Sequence, residues 1–335
     1  MKSLSASVGR LFLHMREKKG IHINMLAKIF RRVAWWLLLA AVLAYSTLFA
    51  LPALLGKNEK LKTSPVVLSV WHVDTFEGGK GSRANFLKKI ANRFEKTQTN
   101  VTTLVSAMTK TGVETAFAEG RFPDVLSYGV GVSVNAEECV CWCEGRYALY
   151  SLTENFQSVS TENTVVSVGG NNFPLAAAFW GGLTGELTAK DATTAYVEFL
   201  GGKYAYLLGT QRDASRLETR GVSAYCQPID GFSDLQQYVS VFGGKNKKTA
   251  NAFVAYLLQE ESQKLLTEIG MFSPLYDVYP SDGGLRKTLE TVKPTYTLSP
   301  FLGERGRSEL QTLLHRGDGE VLKKFWKVRS NTFKL

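Results

Sequence analysis

The chain has 335 residues, enough for two domains and a sizeable core, and a formal net charge of +10. Residues 1–32 hold eight basic residues and one acidic residue, a net charge of +7, so the remainder carries only +3. Because the basic excess lies in one arm and no basic stripe interleaved with aromatic residues follows it, the composition argues against a nucleic-acid-binding protein.

Residues 33–56 follow the basic arm and contain no charged side chain. About 20 apolar residues are enough for a helix to cross a bilayer. Trp35 and Trp36 lie near one end, where an interfacial aromatic belt would place them. A cleaved signal peptide is the alternative, but the apolar stretch is longer than usual and no Ala-x-Ala lies near its end. The sequence therefore predicts an uncleaved transmembrane signal-anchor.

The charge asymmetry around this segment predicts its orientation. The basic side of a membrane helix stays in the cytoplasm, so residues 1–32 form a cytoplasmic arm and the C-terminal part is extracytoplasmic. Residues 57–64 are polar and predict a short linker to the globular part. The expected location is the cell membrane, with a single pass through the lipid bilayer.

The globular part begins with an apolar strand, predicted over Val66–Trp71. Such a continuous apolar run is typical of a strand that is covered on both faces of a sheet. The turn after it contains Asp74, Thr75 and Glu77. Because open α/β sheets bind ligands at the carboxyl ends of their strands, this turn is a candidate ligand site. His72 alternates off the face of Trp71 and is predicted to be exposed.

Helical and extended patterns alternate along the rest of the chain. An amphipathic helix is predicted to begin near Arg83 and to run to Glu95, with Arg83 in its first turn and without a ligand role. Gly270 is a predicted helix C-cap. The other predicted elements are strands at 100–105, 125–129 and 204–208, and helices at 111–119, 192–200, 247–258 and 262–269.

Three of the four cysteines alternate along the chain, at Cys139, Cys141 and Cys143. Neighbours on one face of a strand are poorly placed to bridge each other, so Cys226 is the better disulfide partner for one of them. Zinc sites usually use Cys-x-x-Cys pairs, and none of the four histidines lies in this stretch. Apolar packing in a buried strand is favoured over a soft-metal site. No metal or cofactor is expected.

In order and spacing, these pieces resemble the family 1 extracellular solute-binding proteins, the sugar-binding receptors of ABC importers. The resemblance extends from about Pro65 to the C-terminus. It rests on Leu68–Trp71 with Asp74 and Gly78–Gly79, Phe86–Glu95, Pro123–Val125, Trp142–Leu149, Phe199–Thr210 and Ala250–Leu257. The resemblance implies an α/β, two-lobe periplasmic-binding-protein-like fold of type II, with the ligand in a cleft between the lobes.

Carried onto this sequence, the resemblance implies a first lobe of residues 65–140 plus 226–281. The second lobe would comprise residues 141–225 plus 282–335. This second lobe is shorter than is usual in the family, so a shallower cleft is expected.

A sugar-binding cleft needs planar aromatic rings for the sugar face and fixed polar groups for its hydroxyls. Carboxylates and arginine supply the strongest of these hydrogen bonds. Strand ends at four places offer such residues. The predicted ligand-binding residues are Trp71, Asp74, Thr75, Glu77, Tyr128, Trp142, Thr210, Gln211, Arg212 and Asp213.

The predicted function is therefore a membrane-anchored protein that captures a carbohydrate and passes it to ABC importer permease subunits. A tethered ligand sensor or adhesion module is the alternative. An enzyme acting on cell-surface glycans is disfavoured, because Asp74 and Glu77 lie only three residues apart in a loop and no hydrolase motif occurs. Residues 78–82 lack the spacing of a phosphate-binding loop, although the amides of a glycine-rich helix start could meet an anionic ligand.

Overall fold

The computed structural model describes residues 31–46, 65–76, 79–134, 136, 138–170, 172–298 and 304–316. The chain divides into two units, Met1–Ser64 and Pro65–Leu335. In the first unit, residues 31–45 form a helix. None of the helices in the described ranges is both long enough and apolar enough to cross a membrane. Most of the predicted arm, residues 47–56 of the predicted anchor and the whole predicted linker lie outside the described residues.

The second unit alternates strands and helices along most of its length. Its strands are β1 (Val66–Val73), β2 (Val101–Met108), β3 (Val125–Gly129), β4 (Val140–Glu144), β5 (Tyr147–Ser151), β6 (Thr164–Val168), β7 (Thr188–Asp191), β8 (Tyr206–Thr210), β9 (Tyr225–Pro228), β10 (Phe232–Ser233), β11 (Gln236–Val241) and β12 (Tyr296–Thr297). Its helices are α1 (Arg83–Thr97), α2 (Lys110–Ala118), α3 (Pro174–Trp180), α4 (Ala192–Leu200), α5 (Gln211–Thr219), α6 (Lys247–Leu257), α7 (Glu260–Gln263), α8 (Gly284–Glu290) and α9 (Glu304–Arg316).

The first five-stranded sheet has the order β2-β1-β3-β11-β4. β1 pairs in parallel with β2 and β3, whereas β11 runs antiparallel to both of its neighbours. Helix α1 covers this sheet with one apolar face, in which Phe86, Leu87 and Ile90 are buried. Ser82 begins the helix by accepting a hydrogen bond from the Asn85 amide, as N-cap serines do.

The second five-stranded sheet has the order β7-β6-β8-β5-β9. β6 is parallel to β7 and β8, and β5 is antiparallel to β8 and β9. Helix α4 packs on this sheet through Ala195, Tyr196 and Phe199. The two sheets together give the mixed α/β architecture that the sequence predicts.

Along the chain, the succession of strands changes from one five-stranded sheet to the other twice. β4 lies in the first sheet and β9 in the second, so the strands change sheets after Glu144 and after Pro228. The predicted boundaries are at residues 140 and 225, a few residues earlier in both cases. The full lobe assignment, including residues 282–335, stays a prediction.

Most of the individual elements are placed as the sequence predicts, with two differences. The strand predicted at 204–208 lies at Tyr206–Thr210, so Thr210 belongs to the strand rather than to the loop after it. The helix predicted at 262–269 is instead the short α7 followed by a 3₁₀ helix, Lys264–Ile269. Gly270 ends that helix in the left-handed conformation, with φ of 67°, so its prediction as a C-cap is confirmed.

All four cysteines are unbridged in the structure. Cys143 is buried in β4, and Cys139 and Cys141 are partly buried beside it. Cys226 lies in the second sheet, where its thiol contacts the Leu285 carbonyl at 3.9 Å. Burial raises the pKa of each of the four thiols above its ordinary value, which keeps them in the unreactive protonated form.

Candidate functional site

A cavity of about 570 Å³ lies where loops from the two sheets meet. It is bounded by the segment between β1 and α1 on one side, and by the loop after β6 and the first turn of α5 on the other. All of these segments follow the carboxyl ends of strands, where open α/β sheets bind ligands. The described residues that line the cavity are Asp74, Thr75, Phe76, Gly79, Lys80, Gly81, Ser82, Arg83, Gly170 and Arg212.

A larger recess of about 960 Å³ lies beside β9 and α8. Its described lining residues come from the second sheet, the helices next to it and the loops that join them. Two of its charged side chains are already paired, Glu218 with Arg286 at 2.6 Å and Lys287 with Glu290 at 2.8 Å. Since the smaller cavity draws on both sheets and on strand ends, it is the better candidate for a ligand site.

Asp74 is held at the edge of the cavity by two cationic or polar neighbours. Its Oδ1 atom accepts hydrogen bonds from Arg83 Nε at 2.8 Å and from His72 Nε2 at 2.9 Å. Burial alone would raise the pKa of this carboxyl, but the His72 hydrogen bond and the Arg83 charge lower it well below its ordinary value. Asp74 is therefore a fixed anion whose side chain is still 52% exposed.

His72 lies at the centre of a buried hydrogen-bond chain. Burial lowers the pKa of His72, so its imidazole is neutral. Its Nδ1 atom lies 2.9 Å from Ser127 Oγ, which also accepts from Trp142 Nε1 at 3.0 Å. Because the Asp74 carboxylate can only accept, the neutral His72 donates to it through Nε2–H and accepts at Nδ1 from the Ser127 hydroxyl. The prediction that His72 is exposed is wrong, because β1 extends to Val73 and His72 shares the buried face of this strand with Leu68 and Val70.

Arg83 is the most buried charged residue of the cavity wall, with 1% of its side chain exposed. Its Nη2 atom donates to the Phe76 carbonyl, and its guanidinium stacks over the Phe76 ring at 3.9 Å. Its Nη1 atom is buried without a hydrogen-bond partner within the described structure. A basic residue in the first turn of a helix is unfavourable to the helix dipole. The positive charge of Arg83 therefore adds to the positive end of α1 at this wall.

The cluster at Thr210–Asp213 sends one side chain into the cavity. The Thr210 hydroxyl accepts from the backbone of the first turn and the Asp213 carboxylate accepts from the Thr210 amide, which forms a capping box. Gln211 Oε1 accepts from the Arg146 amide at 3.0 Å. Only Arg212 lines the cavity. Partial burial, and then the nearby Arg216 charge, lower its pKa from the ordinary value.

The loop between β1 and α1 is fixed against the 3₁₀ helix. The Lys80 amide donates to the Ile269 carbonyl at 2.8 Å. A Cβ atom at Gly79 would lie 2.3 Å from the Gly270 carbonyl oxygen, so only glycine permits this approach. The loop that carries Lys80 into the cavity wall is thus held by backbone contacts.

Gly170 brings the second sheet to the first across the cavity. It has φ of +68°, and a Cβ atom there would lie 3.0 Å from the Thr75 carbonyl oxygen and 3.1 Å from Phe76 Cα. A residue with a side chain would have to push the two loops apart. The absence of a side chain at Gly170 therefore allows the loops to meet.

The structure brings together three of the ten predicted ligand-binding residues, Asp74, Thr75 and Arg212. Glu77 lies outside the described residues. The other six lie outside the described cavity lining: Trp71, Tyr128, Trp142, Thr210, Gln211 and Asp213.

Each of the aromatic residues among these six has a place in the protein interior. Trp71 is half-buried against the core beside α2. The Tyr128 hydroxyl is paired with Ser240 Oγ at 2.9 Å, and burial raises its pKa. Trp142 stacks on Phe86, with ring centroids 5.6 Å apart. The Tyr128 hydroxyl and the Trp142 indole are thus used by the fold, and Trp71 packs against a core cluster.

Lys80, Arg83 and Gly170 are among the seven described lining residues that the predicted ligand-binding set does not include. The sequence does contain a signal for the two basic residues: they flank the predicted start of a helix, where acidic residues are normally favoured. Gly170 carried no signal of its own, because its role depends on a contact with a loop almost 100 residues earlier in the chain.

A second polar cluster lies where the chain returns toward the first sheet. Asp234 accepts from the Tyr147 hydroxyl at 2.8 Å and from the Phe173 amide at 2.6 Å. Burial raises the pKa of Asp234 to about 6, although both hydrogen bonds act in the opposite direction. Asn172 donates to the Tyr147 hydroxyl at 2.7 Å. These bonds tie β5, the start of α3 and the returning segment together.

The described residues contain no group of three or more His, Cys, Asp or Glu side chains that could hold a metal ion. The cationic side chains of the cavity wall are instead suited to hydrogen-bond acceptors and to negative charge.

Comparison with known proteins gives a likeness in fold. No protein-family model matches the sequence. No curated protein matches it either. Among solved structures, an extracellular solute-binding protein from Bordetella parapertussis is similar, with a TM-score of 0.54 and 14% identity over 75% of this chain and 99% of that one.

Two further structures are similar to the same degree. Apo ferric ion-binding protein A of Pasteurella haemolytica has a TM-score of 0.53 and 14% identity, over 76% of this chain and 99% of that one. The sugar-binding protein MalE of Xanthomonas citri has a TM-score of 0.51 and 13% identity, over 79% and 97%. The chain thus has the two-lobe α/β fold that these solute-binding proteins share.

Proposed function

We propose that this chain is the solute-binding component of an ABC-type importer and holds a small molecule in the cavity between its sheets. One observation carries the proposal: the cavity wall combines Asp74, Lys80 and Arg83 from one side with Gly170 and Arg212 from the other. A solute bound there contacts both halves. It therefore favours the state in which they meet, because only that state offers all the contacts. The fold shared with solute-binding proteins supports the same function.

The carbohydrate predicted from the sequence draws less support from this geometry. Phe76 supplies the aromatic ring among the described lining residues, and the Arg83 guanidinium already stacks on it. The similar structures are named for different solutes, a sugar in one and ferric ion in another. A carbohydrate therefore enters the experiment as one class among several.

We expect Gly170→Ala to weaken solute binding about tenfold. The new Cβ atom must displace the Thr75 carbonyl or the Phe76 backbone, so the arrangement in which the two loops meet becomes less favourable. A cost of about 1.4 kcal/mol corresponds to a tenfold loss of affinity. The solute is found first by thermal-shift screening of the full chain against sugars, amino acids, metal ions, organic anions and inorganic oxyanions, since a ligand of the native state raises the melting temperature. Its affinity is then measured in each variant.

Gly221→Ala is the matched control. Gly221 has φ of +66°, close to that of Gly170, but nothing lies within 4 Å of an added Cβ atom. Both variants should lose about 1–2 kcal/mol of stability from the left-handed backbone, and only Gly170→Ala should lose affinity. Equal affinities in the two variants, or no stabilising solute for a protein that melts cooperatively, would contradict the proposal.

We further propose that residues 33–56 anchor the protein in the membrane, with the solute-binding part outside the cytoplasm. The support is in the sequence: an uncharged apolar stretch follows an arm with a net charge of +7. Delivery of solute to a permease would then occur within the plane of the membrane.

The full chain should stay with native membranes after an alkaline carbonate wash, and importer permease subunits should co-purify with it in mild detergent. Replacing Leu38 and Leu43 by lysine should release the chain into the wash, because each charge at the centre of a membrane helix costs about 3 kcal/mol. Release of the unaltered chain would refute the anchor. Retention without any permease would indicate the tethered sensor instead.

A further inference from the structure

The described cavity lining has an excess of positive charge. It contains three cationic side chains, Lys80, Arg83 and Arg212, and one carboxylate, Asp74. Asp74 is already held by Arg83 and His72. Even with Arg83 paired to Asp74, the described lining holds more cationic than anionic side chains.

The N-terminal ends of two helices add partial positive charge to the cavity. α1 begins at the cavity with Ser82 and Arg83, and α5 begins there with Arg212 in its first turn. The amides of a first helical turn have no acceptor within the helix, and the helix dipole places partial positive charge at that end. The dipoles of two such ends on opposite sides of one cavity favour a negatively charged group between them, and α1 contributes more than α5, whose first turn is already capped by Thr210 and Asp213.

Two buried polar atoms in the wall independently indicate a missing partner. Arg83 Nη1 and Thr75 Oγ1 have no hydrogen-bond partner in the described structure, although their residues are only 1% and 4% exposed. Both residues line the cavity. An unsatisfied buried donor is costly. A ligand acceptor would satisfy the Arg83 guanidinium, which can only donate.

The volume of the cavity indicates more than a bare ion. At about 570 Å³ it lies within the range of about 300–1,000 Å³ typical of small-molecule sites. A water molecule takes up only roughly 30 Å³, so an inorganic oxyanion of five atoms would fill a small part of this space. The remaining wall, with Asp74 and the loop glycines, is suited to a polar organic body.

We infer that the solute is a small organic anion, whose phosphoryl or carboxylate group lies among Arg83, Arg212, Lys80 and the starts of α1 and α5. This inference rests on the proposed function and names its class of solute. A phosphate monoester carries a charge of about −1.5 to −2 at neutral pH, which matches the excess of cationic groups in the described lining.

The test is calorimetric titration of the full chain, in detergent, with matched probes. The anionic probes are glucose 6-phosphate and malate, which separate a phosphoryl from a carboxylate group; glucose and inorganic phosphate are the neutral and the bare-ion counterparts. At least one anionic probe should bind, and at least 100-fold more tightly than glucose. Its affinity should fall with added salt, because screening weakens partly exposed charges.

Arg212→Gln and Lys80→Gln should each lower the affinity for the anionic probe by roughly 10- to 100-fold, which is the effect of removing one charged hydrogen-bond donor. Arg93→Gln is the matched control, since Arg93 is exposed on α1 and lies outside the described cavity lining. It removes the same charge from the protein and should leave affinity unchanged.

Three results would overturn the inference. Glucose could bind as tightly as its phosphate, Arg212→Gln could behave like Arg93→Gln, or inorganic phosphate could bind as tightly as both organic anions. If glucose binds and Gly170→Ala lowers the affinity for glucose, the proposed function stands and only the class of solute is wrong. If no small solute binds at all, the proposed function fails as well.

Discussion

Replacement of Arg146 by methionine should lower the free energy of unfolding by about 3–5 kcal/mol. Arg146 lies at the first passage between the sheets and is only 2% exposed. Its guanidinium donates to Glu144 Oε1 at 2.5 Å and to the Gly145 and Val292 carbonyls at 3.0 Å. Methionine keeps much of the apolar volume but leaves a carboxylate that is 11% exposed without its cation.

Arg121→Met is the matched control in the same denaturant titration. Arg121 pairs with Glu119 on the surface, where both side chains are more than half exposed. Exposed pairs contribute little, so its loss should be within about 1 kcal/mol. Glu144→Gln combined with Arg146→Met should recover part of the stability, because the uncompensated charge is then removed. Equal losses for Arg146→Met and Arg121→Met would show that the buried pair is not a structural requirement.

Replacement of Trp142 by alanine should cost about 3–5 kcal/mol of stability, the range for large buried aromatic residues. Trp142 is completely buried, stacks on Phe86 and donates to Ser127. Its removal opens a cavity in the core and leaves Ser127 without one of its donors. The melting temperature of the full chain, with denaturant titration, measures the loss.

Trp71→Ala provides the comparison, because it makes the same change at a half-buried position. Less buried area is lost there, so a smaller cost of about 1–2 kcal/mol is expected. A Trp142→Ala variant that melts like the unaltered chain but no longer binds solute would place Trp142 in the ligand site and refute the core assignment.

The order of the elements was predictable because each follows from local pattern. The apolar run of β1 and the apolar face of α1 need only neighbours a few residues away to be recognised. The ends of elements were less predictable. β1 continues through His72 because Ser127 and Asp74 satisfy both of its ring nitrogens, and Ser127 is a partner 55 residues away.

The cavity could be predicted only in part. The sequence predicts polar ligand-binding residues at strand ends, and three of them, Asp74, Thr75 and Arg212, line the cavity. The sequence could not show which strand ends face the cavity and which face the interior. Residues of the core such as Trp142 were therefore also predicted to bind ligand, because they too lie at strand ends. The Thr210-x-x-Asp213 spacing is itself a capping-box pattern, which could have assigned both residues to the helix start.

The position of β11 has a consequence for the order in which the protein is built. β11 lies between β3 and β4, yet it is synthesised after all five strands of the second sheet. Until residues 236–241 have emerged, the first sheet therefore has a gap one strand wide, with two unpaired edges facing it. The second sheet is made from one continuous stretch, residues 147–228, and needs no later strand to be complete. During vectorial synthesis, the second sheet can thus pair all of its strands first, and the first sheet must wait for its last strand.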